Sequence, residues 1–120
     1  MNQCDRSIVY QQRVGYADVD RMGFLHHSRS LVYMESARTE LLRLTGQSYR
    51  EWEDRGFLLP VVAADVRYFK PGQYDDVLEV KVSMVELTRL RVRFHYEFTC
   101  PQRDERIATG NTAHAFMNKE

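Results

Sequence analysis

"RSLVYMESARTELLRLT", residues 29–45, decides the fold, because it is the one long stretch of this 120-residue chain with a helical period. Placed at 100° per residue, Leu31, Met34, Ala37, Leu41, Leu42 and Leu44 share one broad face. Arg29, Ser36, Glu40 and Arg43 fall opposite. Gly46 is a natural C-terminal stop, and Ser28 reads as the N-cap, although no capping-box acid follows it. At 1.5 Å per residue the helix would run roughly 25 Å, about the width of a small sheet. Two charged residues, Glu35 and Arg38, intrude beside Leu31 and Leu42. One turn apart, they are expected to pair and support the helix, with a catalytic carboxylate at Glu35 as the other reading. A further short helix is expected in "SYREWEDRGF", residues 48–57.

Outward from the helix the period changes to two. Residues 8–16, "IVYQQRVGY", are rich in β-branched and aromatic types and read as a strand. After Pro60, "LPVVAADVRYF" places Val62, Ala64, Val66 and Tyr68 on one side, and "KPGQYDD" turns the chain. "VLEVKVSM" then alternates Leu78, Val80, Val82 and Met84 against Glu79, Lys81 and Ser83. "RLRVRFHYEF" is cleaner, with Leu90, Val92, Phe94, Tyr96 and Phe98 against Arg89, Arg91, Arg93, His95 and Glu97. A last strand follows in "IATGNTAHAFM". One-sided alternation over consecutive strands means an antiparallel sheet with one face on a core. Only the helix is long enough to cover that face. The expected fold is α+β, an antiparallel sheet wrapped around one long central helix, in a single domain over residues 1–120.

Composition narrows the function classes. Formal net charge is zero, which argues against a nucleic-acid binder working through bulk electrostatics. No apolar run approaches the roughly 20 residues needed to span a bilayer, and no apolar h-region sits near the N-terminus. A soluble, cytoplasmic protein is expected. Cys4 and Cys100 lack metal-type spacing and are expected to be reduced. The arginine excess over lysine fits either anion recognition or a compositional bias.

The junction "YADVDRMGFLHH", residues 16–27, gathers two acids, two histidines and a glycine between the first strand and the helix. A helix N-terminus presents unpaired N–H groups and a positive dipole end, suited to a polarised carbonyl or an oxyanion. A nearby carboxylate is ionised at neutral pH. The two together can attack an ester-like carbonyl. In the bland alternative, Asp18 and Asp20 form turns while His26 and His27 are solvated. A metal site from Asp18, Asp20, His26 and His27 is the third reading, and no fixed-face ligand spacing supports it.

"YADVDRMGFLHHSRSLVYMESAR" resembles the N-terminal motif of hotdog-fold acyl-CoA thioesterases of the 4-hydroxybenzoyl-CoA thioesterase type. Tyr16, Asp18, Asp20, Gly23, His27, Glu35 and Arg38 fall in register with that motif, and "LLPVVAADVRYFKPGQYDD" resembles the family's second strand and following turn. Ser30 departs from it, standing where the family often carries an aromatic. The resemblance implies a hydrolase for an acyl-CoA or acyl carrier protein thioester. Asp20 would be nucleophile or general base. The His27 N–H would polarise the carbonyl, with its imidazole positioning water or the acyl group. Gly23 would let the backbone pass close to substrate beside Tyr16, and Asp18 would stabilise the loop. Because the family's sites lie at dimer interfaces, Phe57, Leu59, Pro60 and Val61 would line a partner's acyl pocket, in a homodimer or homotetramer, with ordinary strand core as the equal alternative. Arg89 and Arg91 are candidates for the coenzyme A phosphates, against the more ordinary reading of a solvated arginine row. The resemblance implies no metal and no cofactor, coenzyme A being part of the substrate, and neither nucleic acid nor an integral membrane segment. The alternatives are a non-catalytic acyl-CoA-binding protein or a hotdog hydratase. Asp20 argues against the first, and the lack of an Asn-Pro after the aspartate argues against the second.

Overall fold

The computed structural model describes residues 6–44 and 57–118. Strand β1 (Ser7–Arg13) leads through a single 3-10 turn (Tyr16–Asp18) into helix α1 (His27–Leu44). A short β2 (Phe57–Leu58) precedes the long strands β3 (Val61–Tyr68), β4 (Val77–Leu87), β5 (Arg91–Cys100) and β6 (Glu105–Ala115), and β7 (Met117–Asn118) pairs back onto β2. The five long strands form one sheet in the order β1-β4-β5-β6-β3, every neighbour antiparallel. This is the α+β architecture that the alternation implied.

The inward faces of β4 and β5 are those read from the period. Leu78, Val80, Val82 and Met84 meet Val92, Phe94, Tyr96 and Phe98, all buried. Leu90, assigned to that face, instead sits 77% exposed in the β4–β5 turn, ahead of the strand. Helix α1 packs across this face, nearest to β4 and β1. Its Met34 reaches over to Gly110 of β6, where an added Cβ would lie 2.6 Å from Met34 Sδ and 3.1 Å from the Asp65 carbonyl oxygen. Only a glycine leaves room for that approach.

Four local expectations shift. The first strand stops at Arg13 rather than residue 16, because Val14 turns to exchange hydrogen bonds with the β3–β4 loop: its N–H donates to the Asp76 carbonyl and its carbonyl accepts from Asp75. The helix begins two residues early, so Ser28 lies inside it and His26 flanks it instead. Its buried stripe is Ser30, Tyr33, Met34, Ala37, Leu41 and Leu42, while Leu31 and Leu44 are exposed. The stripe rotates because Tyr33 and Ser30 are drawn inward by hydrogen bonds that hydrophobicity does not register. Finally, β3 is exposed along almost its whole length, with only Val66 half-buried. The expected Gly46 stop, the short helix at 48–57 and Cys4 lie outside the described residues, as do the side chains of Phe57, Leu58 and Asn118. Cys100 is a buried free thiol. Among the described residues no helix is long and apolar enough to cross a membrane.

Candidate active site

The junction folds into a compact turn built around Asp20. Its Oδ1 accepts the N–H groups of Met22 (2.8 Å) and Phe24 (3.1 Å), and its carbonyl accepts from Gly23 N–H at 3.0 Å. Short acidic side chains favour such local bonds, and the Tyr74 N–H on the Gly23 carbonyl and the Leu25 N–H on the Gly72 carbonyl tie the loop to the β3–β4 turn. Gly23 sits at φ +80°, a conformation that side chains resist, and an added Cβ would meet no atom within 4 Å. The glycine is needed for backbone angle, not for space. One carboxylate oxygen of Asp20 is thus anchored, and among the described residues Oδ2 has no protein donor.

Asp18, two residues earlier, behaves differently. It is 9% exposed, accepts the Tyr33 hydroxyl on Oδ2 at 2.5 Å and the Gly15 N–H at 3.3 Å. Arg29 Nε lies 2.8 Å from Oδ1, an ion pair by distance whose N–H is not aligned as a hydrogen bond. The Tyr33 hydroxyl holds this carboxyl below its usual range, outweighing the opposing effect of burial. Both Asp18 oxygens are engaged by protein, so Asp18, Asp20, His26 and His27 do not assemble as a ligand set.

His26 caps the helix. Its Nδ1 accepts the Ser28 N–H at 3.2 Å and contacts the Ser28 hydroxyl at 2.8 Å, and its ring stacks on His27 at 4.4 Å. The His27 N–H, at the first position of α1, has no acceptor among the described residues. His27 and Asp20 face one open cleft of about 530 Å³ with Leu25, His26, Tyr68, Phe69, Lys70 and Pro71. Tyr16, 82% exposed, pairs edge-on with Tyr74 on the other flank of Asp20, beside Gly23.

The remaining candidates lie elsewhere. Glu35 and Arg38 form no ion pair; instead the Arg38 guanidinium points toward the Tyr96 hydroxyl at 3.5 Å. The i,i+3 spacing permitted the pair, but the chain beneath the helix offers Arg38 another acceptor. Both residues line a second, smaller cleft of about 230 Å³ with Leu42, Leu59, Pro60, Val61, Phe94 and His114. Arg89 and Arg91 sit at the β4–β5 turn, near the β6 end that pairs with the start of β3. Asp20 lies by the far end of β3, so the chain does not bring these arginines to it. His114, Thr112 and Tyr96, buried under the second cleft and joined by hydrogen bonds, were missed from the sequence. The available signal was two polar residues, Thr112 and His114, at inward positions of an otherwise apolar alternation.

Comparison with known proteins agrees with this fold. Residues 14–120 match the family model described as the thioesterase-like superfamily. The acyl-CoA thioesterase YbgC of Haemophilus influenzae is 32% identical over 93 residues, covering 75% of this chain and 67% of that protein. A solved hypothetical protein of Aquifex aeolicus superimposes with TM-score 0.85 at 36% identity, over 91% of this chain and 87% of its own. The 1,4-dihydroxy-2-naphthoyl-CoA (DHNA-CoA) thioesterase of Staphylococcus aureus gives TM-score 0.90 at 27% identity, over 95% and 76%. With one helix laid on an antiparallel five-stranded sheet and the matched family spanning the whole junction, the chain belongs to the thioesterase-like superfamily, a thioester hydrolase of the hotdog fold.

Proposed function

We propose that this protein is an acyl-CoA thioesterase in which Asp20 attacks the thioester or takes a proton from the attacking water. The observation that carries this reading is the half-anchored Asp20 carboxylate sharing a cleft with the unpaired His27 N–H. Oδ2 is free to act while Oδ1 fixes its direction. As the tetrahedral intermediate forms, charge moves to the carbonyl oxygen, where the His27 N–H and the positive end of α1 stabilise it. Collapse breaks the C–S bond and releases coenzyme A as thiolate, a good leaving group. In the nucleophilic route an acyl-aspartyl anhydride remains for water to hydrolyse; in the general-base route the acid leaves directly. The His27 imidazole borders the same cleft and positions water or the acyl group.

The exposed β3 edge supports a dimer. An eight-residue strand that is mostly apolar, with Asp65 and Arg67 its only charges, unpaired on one side and exposed along its length, invites pairing. Antiparallel pairing of β3 with a second copy sets the Tyr68 end of one strand against the Val61 end of the other. That arrangement carries the second cleft, with Leu59, Pro60 and Val61, to the partner's Asp20 as an acyl wall, and Arg89 and Arg91 toward the coenzyme A phosphates. An acyl carrier protein thioester presents the same reacting group and is tested beside coenzyme A esters. Hydrolysis of short, long and aromatic acyl-CoAs, followed by thiol release for parent and Asp20→Asn, tests the reading. Turnover by the parent that survives in Asp20→Asn rejects the mechanism; binding without turnover in the parent makes it an acyl-CoA-binding protein.

A further inference from the structure

The hydrogen bonds beneath the second cleft run in one direction. His114 Nδ1 lies 3.2 Å from the Leu59 carbonyl, and its Nε2 lies 2.9 Å from Thr112 Oγ1. Thr112 Oγ1 is 2.6 Å from Tyr96 Oη, and Arg38 reaches Tyr96 at 3.5 Å. A carbonyl only accepts, so Nδ1 must carry the imidazole proton and Nε2 must accept from Thr112. The Thr112 oxygen then accepts from Tyr96, whose own oxygen faces Arg38. A guanidinium only donates, so the longer contact at this end agrees with the same order. Tyr96, Thr112 and His114 are all nearly fully buried, and Phe94 closes the imidazole edge-on at 5.5 Å.

This chain ties α1, β5 and β6 to the segment leading into β3. Its terminus, the Leu59 carbonyl, belongs to the wall formed by Leu59, Pro60 and Val61. A proton added at Nε2 would leave the Nδ1–H bond to the Leu59 carbonyl in place, so this anchor does not depend on the charge of the imidazole.

We propose that His114 is a positioning residue: its Nδ1–H holds the Leu59 carbonyl and so fixes the Leu59–Val61 wall. This rests on the reading of the second cleft as the acyl wall of an acyl-CoA thioesterase. The charged and titratable groups facing His114 are Glu35 and Arg38 from α1 and Tyr96 from β5; the Leu59–Val61 segment contributes none. Burial pushes the imidazole pKa down, the Leu59 carbonyl opposes this, and the charge of Arg38 adds to it. The neutral imidazole is therefore favoured, with Nε2 accepting from Thr112.

Steady-state hydrolysis of octanoyl-CoA and benzoyl-CoA at neutral pH tests the proposal on the parent, His114→Gln, His114→Phe and Thr112→Val. The glutamine amide supplies a donor and an acceptor in place of the imidazole. His114→Phe and Thr112→Val should raise KM about tenfold with kcat little altered, the loss of one well-made buried hydrogen bond. His114→Gln should keep a KM close to that of the parent. An unchanged KM in both His114→Phe and Thr112→Val overturns the proposal, as does a loss that falls on kcat with KM unmoved. Should His114→Phe fail to fold, Thr112→Val carries the comparison, with Thr112→Ser expected to restore the parent KM. A parent that hydrolyses neither ester refutes the thioesterase reading instead, and the Kd of benzoyl-CoA for parent and variants then reads the wall directly.

Discussion

The Tyr33 hydroxyl donates to Asp18 Oδ2 at 2.5 Å inside the protein, joining the second turn of α1 to the loop that carries Asp20. The bond locks the helix N-terminus against the turn ahead of it, so the two parts of the candidate site move together. Tyr33→Phe removes that donor while leaving the carboxylate its Gly15 and Arg29 neighbours. The expected loss of stability is about 1.5–3 kcal/mol, typical for a hydrogen bond to a charged group. The pH dependence has a definite sign. Asp18 is held below its ordinary pKa in the folded state, so its stabilisation is complete above about pH 4 and is lost as pH falls through the lowered value. Tyr33→Phe should move the acid limb of a melting-temperature profile upward in pH. An unmoved acid limb would show that the bond contributes nothing.

Asp20→Asn keeps a side-chain oxygen for the Met22 and Phe24 N–H groups, so the loop should hold its shape. Turnover should fall at least ~10²-fold with acyl-CoA affinity retained. Asp18→Asn should do the reverse, lowering the melting temperature while the folded protein still turns over. Thiol release and calorimetry on both variants separate the roles, and equal effects at the two positions would refute the division.

Gly23→Ala places a side chain at φ +80° with open space around it. The cost is conformational, about 1–2 kcal/mol. Because the same turn aims Asp20, kcat should fall as well as stability. Gly23→Asn, better tolerated in the left-handed region, should recover part of both losses. Chemical denaturation and kinetics on the pair check this, and an alanine variant as stable as the parent would contradict it.

Val62, 64% exposed at the β3 edge, is where a charge should block pairing with a second copy. Val62→Lys should shift the light-scattering mass from dimer to monomer and abolish turnover, since the wall from the partner is lost. A monomeric parent with full activity would remove the dimer from the proposal.

The sequence by itself determined the elements and the class of fold, because those follow from local periodicity. Alternation at period two in 78–84 and 92–98 and a 3.6-residue period in α1 are written into neighbouring residues; the strand faces survive packing and the helix survives as an element. The junction motif likewise held its own information, since Asp20 closes its turn with backbone two and four residues away. What only the tertiary structure decided are contacts between residues far apart in the chain. The helix rotated so that Tyr33 reaches Asp18 and Met34 meets Gly110, exposing Leu31, which hydrophobicity alone had placed inside. Arg38 turned from Glu35 to Tyr96, 58 positions away, and His114 found Leu59, 55 positions away. Directional bonds of this kind depend on where the sheet brings its strands together, and no local pattern encodes that distance.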